Sequence, residues 1–359
     1  MRNETYRRAC ETLREERVLL VGGAGFIGHN LALELRRGGV ETMVADNLMV
    51  NNIVSNVSRG EIEAVQRHLY RNFLLDRFEA MRDADVHLRN ADARAMVDLS
   101  QVFDEFKPTK VVHLAAIASA VQARNNPGLA FDLQLVTLRN TLELCRLQHG
   151  TVNQTMFLSS STVYGDFATP EVDETTFPQP RGIYANGKYM GERLVRTYSE
   201  QHGVGSVIVR PSALYGERCV NRRVSQVFIE NALSGKPLML EGGGDGRLDF
   251  TYIDDLVEGM VRALSCDASG DYTNTFNITF GQARTIRDLA ALVCEVVPEA
   301  VLEKRPRAED KPIRGTLSSK RAETILDFKA AWPLEKGYRH YCNWYAEQWR
   351  KAKQQSKLD

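Results

Sequence analysis

Residues 18–28 of this chain read VLLVGGAGFIG. The four apolar residues predict a short buried strand of a parallel sheet. Gly22 then permits a tight turn, Gly25 lets the backbone approach a pyrophosphate, and Gly28 lets the following helix pack on the strand. Because the N-terminus of that helix faces the phosphate charge, the stretch predicts a dinucleotide-binding site.

Strands alternate with helices on both sides of this turn. The sequence predicts a helix at residues 4–16 and further helices at 29–37, 61–81 and 338–353. Short apolar runs predict additional strands at residues 41–45, 86–89, 110–115, 154–159 and 205–210. Such alternation indicates an α/β fold with a Rossmann-type, doubly wound parallel sheet.

Two carboxylates follow predicted strands. Asp46 comes 18 residues after Gly28, at the end of the second strand. A carboxylate there accepts hydrogen bonds from the ribose hydroxyls of adenosine and repels a 2′-phosphate, which predicts NAD rather than NADP as the cofactor. Asp92 follows the strand at 86–89 and is either an adenine contact or a turn residue.

A second motif, YANGK at residues 184–188, places a phenol and an ammonium four residues apart on one face of a predicted helix. The Lys188 ammonium and the positive nicotinamide ring would favour ionisation of the Tyr184 phenol. The phenolate then takes a proton from a substrate hydroxyl as hydride leaves the carbon. Alone, this spacing also fits a pair of residues on a surface helix.

Ser160 lies in the run FLSSSTVYG, residues 157–165, where a predicted strand ends. Open α/β sheets bind ligands at the carboxyl ends of their strands, so Ser160 is predicted to share the substrate proton with Tyr184. The alternative is a hydroxyl bonded to the local backbone.

Composition excludes several classes of function. The 359 residues include 46 Lys and Arg and 46 Asp and Glu, and this zero net charge argues against a nucleic-acid binder with a broad basic surface. Six scattered cysteines have no C-x-x-C spacing, so no metal site is expected. No apolar run is long enough for a membrane span, and residues 1–17 lack the apolar stretch of a signal peptide. We therefore expect a cytoplasmic protein.

Taken together, these motifs resemble those of the extended short-chain dehydrogenases/reductases of the nucleotide-sugar epimerase and dehydratase kind. The resemblance also includes VVHLAA at residues 111–116, RPSALYG at 210–216 and RLDFTYIDD at 247–255. It implies an NAD-binding Rossmann domain at 18–180, after a helical extension at 1–17 and with an insertion at about 49–86. Residues 181–359 are expected to form mainly a smaller C-terminal α/β substrate-binding lobe, with some segments returning to the Rossmann sheet.

The resemblance also implies roles for individual residues. Tyr184, Lys188 and Ser160 match the catalytic set, Arg247 and Arg307 match arginines that bind the diphosphate of a nucleoside-diphosphate sugar, and Asp310 matches a contact to its ribose. Ser161 and Thr162 are expected to contact the substrate. The expected contacts of NAD are Gly22, Gly25, Phe26, Ile27, Gly28, Asp46, Asn47, Asp92, Ala93, Leu114, Ala115, Ala116, Tyr184 and Lys188.

Within this family, dehydratases and decarboxylases usually carry an acidic residue where this chain has Thr162, two positions before Tyr164. Elimination of water needs a general acid/base that threonine does not supply. This favours a C4 epimerase that passes through a transient 4-keto sugar. A 4-dehydrogenase or 4-ketoreductase, a dehydratase, or a non-catalytic NAD-binding sensor are the alternatives.

Some features depart from the family pattern or have a simpler explanation. Ala213 stands where many relatives have an asparagine that contacts the substrate. His113 lies within a predicted buried strand and is expected to be a core residue. The resemblance implies a homodimer through helices near 137–147 and 188–201, although the apolar residues on them fit a core equally well: Leu138, Leu142, Leu144, Met190 and Leu194.

Overall fold

The structure is a computed structural model that describes residues 3–49, 63–117, 119–268, 274–308 and 312–357. Its helices are α1 (Glu4–Leu13), α2 (Phe26–Arg37), α3 (Ala64–Asp83), α4 (Met96–Phe106), α5 (Ala120–Asn125), α6 (Pro127–Phe131), α7 (Thr137–Leu147), α8 (Gly182–His202), α9 (Val224–Leu233), α10 (Ile253–Ser265), α11 (Ile286–Val296), α12 (Lys320–Leu326) and α13 (Leu334–Gln355). A π-helical turn, Asp132–Val136, joins α6 to α7, and 3-10 turns cover Ser161–Tyr164 and Gly242–Gly244.

The strands are β1 (Arg17–Val21), β2 (Glu41–Asp46), β3 (His87–Asn90), β4 (Lys110–His113), β5 (Gln154–Leu158), β6 (Glu171–Val172), β7 (Gly205–Arg210), β8 (Leu214–Tyr215), β9 (Leu238–Glu241), β10 (Arg247–Leu248), β11 (Thr251–Tyr252), β12 (Thr275–Asn277), β13 (Arg284–Thr285), β14 (Leu302–Arg305) and β15 (Thr316–Leu317). Seven of them form one parallel sheet in the order β12-β7-β5-β4-β1-β2-β3. The order reverses between β1 and β4, so the carboxyl ends of these two strands open a crevice. The predicted Rossmann-type sheet is confirmed.

Six strands of this sheet, β1, β2, β3, β4, β5 and β7, lie where the sequence predicts them, with ends shifted by up to two residues. The sequence analysis does not predict β12, which has only three residues. β7 spans Gly205–Arg210 as predicted, whereas β4 ends at His113 rather than at Ala115. It ends early because the amides of Leu114 and Ala115 both donate to the carbonyl of Val21, at 2.8 and 2.9 Å. The chain thereby turns away from the ladder at the edge of the crevice.

Burial on both faces explains the continuous apolar runs of the central strands. Along β1, Val18 and Leu20 pack into one layer of the core, and Leu19 and Val21 pack into the other. All four side chains are fully buried. Alternate side chains of a strand point to opposite faces, so β1 holds helices against both sides of the sheet.

The remaining strands form four two-stranded ladders: β8 with β11, β9 with β14, β10 with β13, and β6 with β15. They belong mostly to the second half of the chain. β7 and β12 also belong to that half but lie in the main sheet. The division into domains at residues 180 and 181 stays a prediction.

The described part of the insertion, residues 63–86, contains α3, which packs into the protein core. Phe73 of α3 is fully buried, stacks on Trp344 of α13 at 5.0 Å between ring centroids, and meets Tyr345 edge-on at 5.7 Å. Residues 50–62 of the predicted insertion lie outside the described residues. The last aromatic helix therefore packs against the inserted one.

Three of the apolar residues considered for a dimer interface belong to the core of the chain itself. Leu138, Leu142 and Leu144 are at most 5% exposed, because the helix α7 turns them towards the sheet. Met190 on α8 is 46% exposed. The homodimer stays a prediction. No helix among the described residues has the length and apolar character that a membrane crossing requires.

Candidate active site

A cleft of about 550 Å³ lies at the carboxyl ends of β1, β2, β4 and β5. Every residue that the sequence predicts to contact NAD lines it, and so do Ser160, Ser161 and Thr162. The position agrees with the rule that ligands bind where the strand order of an open α/β sheet reverses.

The glycine turn after β1 has the geometry of a phosphate-binding loop. Gly22 adopts φ +78°, and a Cβ there would lie 2.5 Å from the Cα of Ala115. A Cβ on Gly28 would lie 2.3 Å from the carbonyl oxygen of Gly23. Helix α2 begins at Phe26 without a side-chain cap, so the amides of its first turn remain available to an anion. These residues fit the pyrophosphate of NAD.

Asp46 connects the end of β2 to the glycine turn. Its carboxylate accepts hydrogen bonds from the amide of Ala24 at 2.9 Å and of Leu48 at 2.7 Å. Burial raises the pKa of this carboxyl, and the two amides oppose that rise. The acceptor position at the strand end is the one that suits the adenosine ribose of NAD.

Asp92 fits both of its sequence interpretations. It lines the cleft, and its carboxylate accepts hydrogen bonds from Arg94 Nη2 at 2.6 Å and from the Arg94 amide at 2.9 Å. The Arg94 side chain, followed by smaller effects that include a hydrogen bond from Asn47, lowers the pKa of Asp92 to about 2. The residue therefore stabilises its own turn and also borders the predicted adenine site.

Helix α8 brings Tyr184 and Lys188 to the same side of the cleft. The phenol of Tyr184 hydrogen-bonds with Ser160, which follows β5. Lys188 is 3% exposed, and its Nζ donates to the carbonyl of Leu158 at 2.7 Å. The three predicted catalytic residues thus meet at the end of one strand and the beginning of one helix.

The electrostatics of this group differ in one respect from the sequence-based expectation. Burial raises the pKa of the Tyr184 phenol, and the positive charge that opposes the rise belongs to Arg223 rather than to Lys188. Burial also lowers the pKa of the Lys188 ammonium to about 8. Among the described residues, Arg223 is therefore the cation that favours the phenolate.

A buried polar network holds α8 against the sheet. Glu192 accepts two hydrogen bonds from Arg210, at 2.6 and 2.8 Å, and one from Ser159 at 2.6 Å. Arg210 also donates to the hydroxyl of Tyr164 at 2.9 Å, and that hydroxyl donates to Asn277 at 2.8 Å. Since Glu192 is one helical turn after Lys188, the network fixes the helix that carries Tyr184 and Lys188, the predicted catalytic pair.

His113 is a core residue, as the sequence predicts. It is fully buried, and its Nδ1 lies 3.0 Å from the hydroxyl of Thr141. Burial, with the nearby positive charge of Lys188, lowers its pKa to about 3. The imidazole therefore stays neutral at ordinary pH.

The arginines that the family pattern implies do not line the cleft. Arg247 and Arg307 are both exposed and are absent from the lining of the cleft. Arg307 lies against Gly242, at the 3-10 turn after β9. Asp310 lies outside the described residues. The roles of these residues in substrate binding stay predictions.

Three other arginines line the cleft instead: Arg222, Arg223 and Arg314. Arg222 is 3.3 Å from the carboxylate of Glu230, and Arg223 directly precedes helix α9. The pair of arginines before an apolar helix was a signal for an anion site in the sequence. Arg314 gave no such signal, because only the folded loop places it beside Ser161.

A comparison with protein families matches residues 18–279 to the NAD dependent epimerase/dehydratase family. The chain belongs to this family. It is a family of enzymes, and NAD, the predicted cofactor, is the cofactor of the family. The glycine turn, Asp46 and the Tyr184–Lys188 pair all lie within the matched residues.

Similar proteins of known function catalyse several reactions. The chain is 26% identical over 355 residues to dTDP-glucose 4,6-dehydratase of Salmonella typhimurium, covering 92% of each chain. It is 27% identical over 346 residues to UDP-glucuronate 4-epimerase 2 of Arabidopsis thaliana, covering 91% of this chain and 75% of that protein. At these identities the relatives support the family rather than one reaction.

Among solved structures, UDP-glucose 4-epimerase of Thermus thermophilus in complex with NAD superposes with a TM-score of 0.76 at 26% identity, over 93% of this chain and 99% of that one. UDP-glucuronic acid 4-epimerase of Bacillus cereus, in complex with UDP-glucuronic acid and NAD, has a TM-score of 0.78 at 22% identity. The superposition covers 92% of this chain and 99% of the Bacillus cereus chain. Both confirm the fold.

Proposed function

We propose that this protein is an NAD-dependent epimerase of nucleoside-diphosphate sugars that inverts C4 through a transient 4-keto intermediate. The observation that supports this most is the composition of the cleft. It combines Tyr184, Lys188 and Ser160, a set suited to hydride transfer, with few other acid/base groups.

Asp46 and Asp92 are the carboxylates among the described residues that line the cleft, and both lie at the predicted adenosine end. At the sugar end, Thr162 replaces the acidic residue expected of a dehydratase. Elimination of water requires a group that removes a proton beside the ketone and one that protonates the leaving hydroxyl. Without a carboxylate there, epimerisation by oxidation and reduction at one carbon is the simpler chemistry.

NAD, when bound, accepts a hydride from the sugar and returns it. Gly22, Gly25 and Gly28 would hold its pyrophosphate, and Asp46 its adenosine ribose. The side chains of the cleft then transfer the proton of the C4 hydroxyl. Tyr184 takes the proton from the C4 hydroxyl, and its hydrogen bond with Ser160 aligns the phenol with that hydroxyl.

The proton follows the reverse path when the sugar is reduced. If the keto sugar turns its other face towards the cofactor, Tyr184 gives the same proton back to the C4 oxygen. Until the keto sugar is reduced, the positive charge of Arg223 favours the phenolate form of Tyr184. The net reaction consumes no cofactor, since the hydride and the proton both return to the sugar.

Arg223 is also the residue that we assign to the substrate diphosphate. It lies at the N-terminal end of α9, whose first residues Val224 and Ser225 line the cleft as well. A guanidinium next to the amides of a helix N-terminus suits a phosphate group. Arg222, by contrast, is paired with Glu230.

A panel of UDP-, dTDP-, GDP- and CDP-sugars, incubated with the purified enzyme without added cofactor, tests this function by proton NMR and mass spectrometry. The proposal predicts a new anomeric signal from a product of unchanged mass. A keto sugar that accumulates with NADH only after NAD is added would instead establish a dehydrogenase. A product that has lost one water would establish a dehydratase.

A further inference from the structure

Arg314 lies beside the catalytic end of β5. Its Nη1 donates to the carbonyl of Ser161 at 2.7 Å, and its guanidinium lies over the ring of Phe167, 5.5 Å from the ring centroid. Arg314, Phe167, Ser161 and Thr162 all line the cleft. Because Ser161 directly follows Ser160, this arginine borders the position where the reacting sugar must lie.

The charge of Arg314 has little compensation among the described residues. Its side chain is partly buried, and burial lowers its pKa to about 10, with Asp166 as the opposing negative charge. Asp166, however, is ion-paired with Arg181 and accepts a hydrogen bond from the amide of Ile313 at 2.7 Å. No carboxylate in the described ranges lies within ion-pair distance of Arg314.

Burying a guanidinium is costly unless a charged partner and further hydrogen bonds compensate it. An arginine offers five N–H donors, and the described contacts of Arg314 use one of them, for a neutral carbonyl. The neighbouring Thr162 has a buried hydroxyl without a hydrogen-bond partner among the described residues. Polar groups left unpaired at a cleft are typical of ligand sites.

Two anionic groups of the substrate could meet this arginine, namely the diphosphate and a carboxylate on the sugar. The diphosphate already has a candidate partner in Arg223, on a different element. Arg314 instead contacts the residue that follows Ser160, and Ser160 hydrogen-bonds the phenol that acts on the sugar itself. The position therefore favours a group carried by the sugar.

We propose that Arg314 is a specificity-determining residue that binds a carboxylate of the sugar, so that the substrate is a nucleoside-diphosphate hexuronic acid. The inference rests on the proposed function and narrows its substrate class. The planar guanidinium pairs with a carboxylate through two parallel hydrogen bonds, which a neutral hydroxymethyl group cannot accept with the same strength.

The test compares UDP-glucuronic acid with UDP-glucose on wild-type enzyme, Arg314→Met and Arg314→Lys. Wild-type kcat/KM should be higher for the acid, and Arg314→Met should lower it for the acid by about 10- to 100-fold, the range for hydrogen bonds to charged groups. For UDP-glucose it should change by less than about threefold. The kcat/KM of Arg314→Lys for UDP-glucuronic acid should lie between those of the wild-type enzyme and Arg314→Met, because lysine keeps the charge but loses the planar fork.

Arg8→Met is the matched control, since Arg8 is an exposed arginine of α1 with 74% of its side chain accessible. Arg8→Met should leave kcat/KM unchanged for both substrates. Unchanged binding of UDP alone to Arg314→Met, by calorimetry, would show that the diphosphate is not the partner. An equal loss for UDP, UDP-glucose and UDP-glucuronic acid would overturn the inference, and so would a wild-type enzyme that prefers UDP-glucose.

Binding separates this inference from the proposed function. If no sugar of the nucleotide-sugar panel is epimerised, the proposed function fails, but calorimetry with UDP-glucose and UDP-glucuronic acid on the NAD-loaded protein still tests Arg314. Tighter binding of UDP-glucuronic acid than of UDP-glucose, lost in Arg314→Met, would support the inference. Equal binding of the two sugars, or no binding of either, would overturn it.

Discussion

At the scale of single residues, the proposed chemistry depends on the phenol of Tyr184. Its position next to Ser160 could be predicted from the two motifs, because a strand end and the start of a helix are fixed by local patterns. The positions of the cations that line the cleft could not be predicted in this way. Arg223 and Arg314 reach it from a helix N-terminus and from a loop whose positions depend on tertiary packing.

Replacing Tyr184 with Phe should abolish turnover while NAD remains bound. The change removes the group that exchanges a proton with the sugar but keeps the aromatic ring, so kcat should fall at least about 100-fold, a typical loss for a general base. Turnover by NMR and NAD content by absorbance after denaturation measure the two effects. Retained turnover would show that Tyr184 is not the base.

His113 should contribute to acid sensitivity. Its folded pKa of about 3 lies below the unfolded value of about 6.5, so the unfolded chain binds a proton that the folded protein does not. Its stabilising effect is present above pH 6.5 and is lost as the pH falls towards 3. In His113→Gln, the free energy of unfolding should fall less steeply with falling pH in this window. The slope should be smaller by up to about 1.4 kcal/mol per pH unit.

Urea unfolding at a series of pH values measures this slope, which is independent of any constant destabilisation by the substitution. His149→Gln is the control, because His149 is exposed in a loop. An unchanged slope in His113→Gln would contradict the assignment of a neutral, buried imidazole.

At the scale of elements, the sequence predicts six of the seven strands of the main sheet, since most of them are short apolar runs with a defined end. It does not predict β12, whose three residues TFN are too few for such a run. It predicts the existence of α3 but not its place. That place depends on α13, more than 250 residues later in the chain, through contacts such as Phe73 with Trp344. Contacts between elements so distant in sequence leave no local pattern.

Phe73→Ala should lower the free energy of unfolding by about 3–5 kcal/mol, because it leaves a cavity between α3 and α13. Leu75→Ala is the matched control on the same helix, since Leu75 is 42% exposed and should cost less than about 1 kcal/mol. Denaturant unfolding measures both. Equal, small effects would mean that α3 lies on the surface rather than in the core.

At the scale of the whole molecule, the homodimer is still a prediction. Helices α6 and α8 expose apolar residues, among them Phe131 at 55%, Ile183 at 41% and Met190 at 46%. A two-fold interface would cover such residues. Light scattering should give about twice the chain mass of 40.4 kDa, and Met190→Glu should shift the protein towards the monomer.

Leu75→Glu, at a similarly exposed apolar position on α3, should leave the dimer intact. A monomer mass for the wild-type protein at all concentrations would contradict the predicted interface. Dissociation by both substitutions alike would show that the effect is not specific to α8.

The proposed function requires that hydride leaves C4 of the sugar and returns to the same carbon. The most direct test is a nucleotide sugar deuterated at C4, with wild-type enzyme and no added cofactor, followed by NMR and mass spectrometry of the product. We expect an epimer of unchanged mass that retains the deuterium at C4. Deuterium found in NADH, or at another carbon of a dehydrated sugar, would contradict it.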